Sequence, residues 1–258
     1  MGLDAATASR GPRHPAGVLA QLRSLIGKAG GEFMPVEVQD VLKINIVIVG
    51  IGVLNDPGKV AAFSDAVGAE VLRAGEEIGL VGGLSPAAAA IGQRLALQRD
   101  RISIGSSPDR TAIEREFPLE SDLQRLAEVA DEALRSREGE EFPRAVGYNL
   151  EMVYDQDSGF PAFQYIGKRL FREDTFAPEG WALAGGAGRL VFGSAAGRWT
   201  VHIEPRLGDA SSSRVYLNLN FHIEGQELPD RAEMLRTFRH VWSQSHDFAQ
   251  CLDEGGAS

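Results

Sequence analysis

Two stretches near the C-terminus carry histidine and a carboxylate in the same short pattern, His202-Ile203-Glu204 and His222-Ile223-Glu224. On a strand, residues two apart project to one side, so each pair is placed to ligate a divalent metal or to move a proton. Alternation sets Trp199, Val201 and Ile203 on one side, with Thr200, His202, Glu204 and Arg206 on the other. In the next strand Val215, Leu217, Leu219, Phe221 and Ile223 face a core, while Tyr216, Asn218, Asn220, His222 and Glu224 face away. Two readings follow. His202, Glu204, His222 and Glu224 are candidate metal ligands or acid–base groups, and Arg206, Tyr216, Asn218 and Asn220 are candidate contact residues for another protein. A tight hairpin would set His202 opposite a residue near 218, out of register with His222. An antiparallel sheet with one wet face also shows this alternation without any chemistry.

Other patterns fail on detail. In GIGVLNDPGK, five residues separate Gly52 from Gly58 where a phosphate loop has four, and Val60 stands where a magnesium-binding Ser or Thr belongs. Asn55 replaces the third glycine of a dinucleotide fingerprint, so the segment reads as a helix-capping turn. The GGAG at 185–188 reads as a hairpin turn. Asp155 and Asp157 resemble a calcium loop, but Gly159 comes one position early and Ile166 occupies the twelfth position. His240 and His246 lack the i, i+4 spacing of a helical metal pair, and His14 falls in the leader. Cys251, the single cysteine, excludes an internal disulfide and a cysteine zinc site, and reads as a small apolar residue of the last helix. Arg99, Arg101, Arg110 and Arg115 are interleaved with Asp100, Asp109 and Glu114, as on a salt-bridged surface. No metal or cofactor is therefore assigned.

These residues need a scaffold to hold them. Residues 1–34 read as a flexible leader with a short amphipathic helix, Val18, Leu19, Leu22, Leu25 and Ile26 recurring at helical spacing. LKINIVIVG predicts a strand, and Val60, Phe63, Val67 and Val71 the helix after it. Leu95, Leu97, Ile102 and Ile104 predict strand positions broken by a bulge or turn at 99–101. Leu119 to Arg135 is the clearest helix, with Ser121 and Gln124 as its capping box. AVGYNLEMVYD is a strand, Phe160 to Phe171 a short helix, and 181–224 a meander. A long final helix is capped by Asp230 and Glu233. The expected class is α+β: a mostly antiparallel sheet with covering helices, organised as a first half at 35–172 and a second at 173–258, packed as one body. LKINIVIVG at 42–50 also echoes LNLNFHIEG at 217–225, which suggests duplication of a strand–helix unit.

The 258 residues carry 36 acidic and 26 basic side chains, a formal charge of −10, so phosphate backbones and anionic lipid are repelled on average. Neither a secretory signal nor a bilayer-length apolar run stands out, so a cytoplasmic location is expected. Arginine far outnumbers lysine, as in GC-rich bacterial genomes. With a well-specified fold and no reactive constellation, the chain reads as a non-enzymatic interaction or assembly protein. Its expected partner is another protein or itself, in a homo-oligomer or larger complex, without nucleic acid or membrane. The alternative is a small-ligand protein or metal-dependent enzyme, with its site on the polar strand face or at the seam between sheet and last helix.

Overall fold

The computed structural model describes residues 38–54, 57–68, 70, 72–73, 93–107, 109–137, 142–156, 158–171, 185–194, 197–206, 213–224 and 227–254. The expected leader and its helix, the Asn55–Asp56 turn and the 173–184 segment lie outside these residues.

The β-branched run from Val38 opens the chain as β1 (Val38–Val49), followed by α1 (Pro57–Val67) and a two-residue β2 (Leu72–Arg73). A meander follows: β3 (Gln93–Leu97), β4 (Ile102–Ser107) and β5 (Arg110–Glu116). The expected break at 99–101 is the β3–β4 hairpin turn, where Arg101 takes a positive φ of 51°. A single 3-10 turn (Glu120–Asp122) leads into α2 (Leu123–Arg135). The remaining elements are β6 (Ala145–Asp155), α3 (Ala162–Leu170), β7 (Gly188–Ser194), β8 (Gly197–Pro205), β9 (Arg214–Glu224) and α4 (Arg231–Glu254).

Strand pairing is antiparallel throughout and joins all strands in one nine-stranded sheet of order β2-β3-β4-β5-β1-β6-β9-β8-β7. Alternation gives each strand an apolar side. Ile44, Ile46 and Ile48 of β1, Leu150 and Met152 of β6, and Leu217 and Leu219 of β9 are essentially inaccessible. Against that side pack Phe63 of α1, Leu126 and Ala130 of α2, Ile166 of α3, and Phe238 and Val241 of α4, in one continuous core. The α+β class with a long C-terminal helix after the strands is the architecture.

Apart from β2, the order β-α-β-β-β-α occurs twice among the described elements, as β1-α1-β3-β4-β5-α2 and β6-α3-β7-β8-β9-α4. Each set makes one half of the sheet, and the halves meet where β1 pairs with β6. This repetition has its boundary between α2 and β6. It also corrects the basis of the echo. The strings 42–50 and 217–225 belong to β1 and β9, which hold different places in the two units. They look alike because both flank β6 in one register: Lys43 and Asn218 pair with Glu151, Asn45 and Asn220 with Asn149, Ile46 and Phe221 with Tyr148. Strands that share neighbours share a pattern, so the likeness records position on the sheet.

Local chemistry departs from expectation at one turn. The start of the second helix is held by Asp122, whose carboxylate accepts from the Leu119 N–H and pairs with Arg115, both at 2.8 Å, in place of a Ser121–Gln124 box. Of the expected GGAG hairpin only the side from Gly185 onward is described. Its glycines lead into β7 against α3, so close that a Cβ on Gly167 would lie 2.7 Å from the Cα of Gly185. At α4 the expected cap holds, with the Glu233 N–H donating to Asp230 at 2.7 Å.

Candidate functional site on the outer face of the sheet

Because the four described helices lie on the apolar side, the opposite side of the sheet carries the residues singled out above. Among the described residues no helix or strand packs on it. In β8 and β9 the expected alternation holds: Trp199, Val201, Ile203, Val215, Leu217, Leu219 and Phe221 are buried on the helix side. On the outer side His202, Tyr216, Asn218, Asn220 and His222 are half-buried, and Glu204 and Glu224 are exposed. Val153 (1 % exposed) and Thr200 (8 %) are among the outer-side positions removed from solvent. Arg206 follows β8, half-buried, with its backbone N–H donating to the Arg214 carbonyl at 3.0 Å.

Register decides which candidates meet. His202 pairs with Asn218, and His222 with Arg198 and Gly147. The two imidazoles therefore sit four residues apart along β9, roughly 13 Å at a strand's rise. His222 Nε2 lies 3.7 Å from Glu224 Oε1, and Arg198 lies 4.0 Å from the same carboxylate. The expected H-I-E pairs are thus two separate sites on one face. Among the described residues no three His, Cys, Asp or Glu side chains converge in a group that could hold a metal ion.

What does converge was only partly visible beforehand. Asn149 of β6 donates from Nδ2 to Asn45 Oδ1 at 2.6 Å and accepts from Asn220 Nδ2, so one amide row crosses β1, β6 and β9. On the β5 side the row continues as Glu114, which accepts from Ser103 Oγ at 2.9 Å and pairs with Arg94 at 3.2 Å. One row over, the Lys43 ammonium meets Glu151 at 2.8 Å. Burial pulls the Lys43 pKa down, but the Glu151 hydrogen bond and charge, with Glu114 and Glu116 nearby, outweigh it and hold the pKa above its ordinary value. Burial, then the neighbouring Glu151 carboxylate, raise Tyr216, which stays a neutral hydrogen-bonding phenol at any physiological pH. Lys43, Asn45, Glu114, Asn149 and Glu151 were missed as site residues. Their signal was the same odd–even alternation in β1, β5 and β6.

The other candidates fall elsewhere. In the loop after β1, the Val53 N–H donates to Ser106 Oγ and the Leu54 N–H to Ser136 Oγ, each at 2.9 Å. The Ile51 carbonyl accepts from Thr111 Oγ1 at 2.8 Å. Amides turned onto internal hydroxyls cannot cradle a phosphate. Asp155 accepts from Ser213 Oγ and lies 3.5 Å from Arg214. Cys251 is buried in α4. The seam between α4 and the sheet is filled by Met234, Phe238, Val241 and Phe248, the Phe238 ring meeting Tyr148 edge-on at 5.2 Å. His240 stands on the same helix against Trp199 and Phe221, and burial lowers its pKa. Beside the end of α4, Tyr165 Oη donates to Asp253 at 3.3 Å and Arg169 to the Asp253 carbonyl at 2.7 Å; burial pushes the Tyr165 hydroxyl up to about 12.

Among the described residues no helix is long and apolar enough to cross a membrane. No family model matches the chain, and no curated protein matches it.

Proposed function

We propose that the chain is a non-enzymatic interaction or assembly protein that uses the outer face of its sheet to contact another protein. The observation that carries this reading is the breadth of that face. Lys43, Asn45, Asn149, Glu151, Tyr216, Asn218 and Asn220 from β1, β6 and β9 form one polar, half-buried surface without a described covering element. Such a surface suits protein contact. Its amides are already ordered by one another, so little side-chain entropy is lost on docking, and Tyr, Asn and His make adaptable hydrogen bonds. The separation of His202 from His222 argues against one shared metal centre and leaves both as contact residues. Net charge opposes nucleic acid as the partner.

The test is binding reconstituted from purified components. A partner recovered with the intact chain should bind wild type and fail to bind Asn218→Arg or Tyr216→Ala, with far-UV circular dichroism unchanged. Binding that ignores both substitutions would place the contact elsewhere. Stoichiometric metal that survives dialysis and is lost in His202→Ala and His222→Ala would favour the enzymatic alternative.

A further inference from the structure

We propose that the free edge of the sheet at β7 pairs antiparallel with β7 of a second copy, centred on Val191, to join two chains about a twofold axis. This rests on the assembly reading above and names one partner for it, at a surface separate from the outer face.

The two edges of the sheet are treated differently. At one end β3 is covered by β2, which is only two residues long and offers little to an added strand. At the other end β7 runs for seven residues, contains neither Pro nor Lys, and among the described residues pairs with β8 alone. Val191 is 57 % exposed, the single exposed large apolar residue among the strand side chains described. The β7–β8 turn closes on the Ser194–Gly197 pair across two residues. By antiparallel alternation this turns the backbone groups of residues 190, 192 and 194 toward β8, and those of 189, 191 and 193 outward.

A symmetric pair can be centred on any residue of β7, but only Val191, its middle residue, pairs all seven. Centred on Arg189, the pairing would oppose Arg189 to itself. Centred on Gly193, it would run off the end of β7. Centred on Val191, it sets Arg189 opposite Gly193 of the second copy and Leu190 opposite Phe192, with Val191 meeting its own counterpart. Leu190 and Phe192 lie on the helix side, Phe192 at 6 % exposure, so the pairing also joins the two apolar cores. A one-residue slip would send those side chains to the wet side.

Charge is compatible with a second copy: centred on Val191, the two Arg189 side chains lie four residues apart, roughly 13 Å along the strands. Two chains of charge −10 repel on average, yet residues 180–203 contain no Asp or Glu. Pairing at this edge therefore adds no contact between acidic side chains of the two copies.

The experiment is sedimentation equilibrium and light scattering on the full chain, with Val191→Pro and Val191→Arg. Proline at 191 removes an outward N–H that β8 does not use, a position where edge strands tolerate it. Arginine at 191 opposes like charges across the axis. The wild type should be a dimer, and each variant should weaken it by about tenfold or more while keeping the fold. A nitroxide on Val191→Cys should show strong dipolar broadening between copies, and one on Asn218→Cys should not; the native Cys251 is buried. If Val191→Pro misfolds, Val191→Arg and the nitroxide pair decide. A monomeric wild type, or a dimer indifferent to folded variants, would overturn the proposal. A monomer that accepts a foreign acidic strand at β7 would overturn it too. A monomer whose binding to its partner is still lost in Asn218→Arg would end the edge pairing and leave the outer-face reading standing.

Discussion

Asn149→Ala isolates what the amide row contributes to the sheet. Asn149 bridges the two repeated units, donating to Asn45 and accepting from Asn220. Truncation removes both bonds. At roughly 0.5–1.5 kcal/mol each, the range is about 1–3 kcal/mol. Asn45 and Asn220 are half-buried and can turn to water, so the penalty for stranding a buried polar group does not apply in full. The expected loss is therefore in the lower half, about 1–2 kcal/mol. Urea unfolding measures it as a shift of midpoint at constant m-value. Double-mutant cycles sharpen the result: Asn45/Asn149 and Asn149/Asn220 should each couple by about 0.5 kcal/mol or more, and Asn45/Asn220 by close to nothing. A loss below about 0.3 kcal/mol, or equal coupling in all three cycles, would show that the row does not tie β1 to β6 and β9.

Four further outcomes follow from the packing. Phe238→Ala empties a fully buried site against Tyr148 and should cost about 3–5 kcal/mol, read as a drop in thermal midpoint. Gly167→Ala drives a Cβ onto the Gly185 backbone and should cost about 1–3 kcal/mol in chemical denaturation, more than Gly105→Ala, where nothing lies within 4 Å. Ser106→Ala strands the Val53 N–H and should cost about 1–3 kcal/mol, with faster hydrogen exchange at that amide. His240 is held below its usual 6.5 by burial, so on acidification the unfolded chain takes up its proton first. Stability should fall as pH drops from 6.5 toward the folded value, and His240→Phe should flatten that slope in pH-dependent unfolding.

Much of the fold was legible because one wet face imprints a period of two. Val215 to Ile223 and Trp199 to Ile203 could be assigned to a core, and Tyr216, Asn218 and Asn220 to the outside, from alternation alone. Long-range pairing was not legible. Nothing local in LKINIVIVG says that β6 will lie beside it, so the likeness of 42–50 to 217–225 suggested descent when it records a shared neighbour. The amide row stayed hidden for the same reason, since Asn45, Asn149 and Asn220 are far apart in sequence and meet only through register. Asp122 displaced the Ser121–Gln124 box because a 3-10 turn ahead of α2 brings its carboxylate back to the Leu119 amide. The contact of Gly167 with Gly185 stayed hidden because close approach of two backbones leaves no local mark other than glycine itself.

The central claim is that the outer face is a protein-contact surface. Hydroxyl-radical footprinting compares that face directly in the chain recovered within its native assemblies and in the purified, diluted chain. The account predicts that Tyr216, His202 and His222 are protected in the assemblies relative to the diluted chain, while the exposed Phe160 on the helix side reacts equally in both. Equal reactivity of Tyr216, His202 and His222 in the two samples would contradict it.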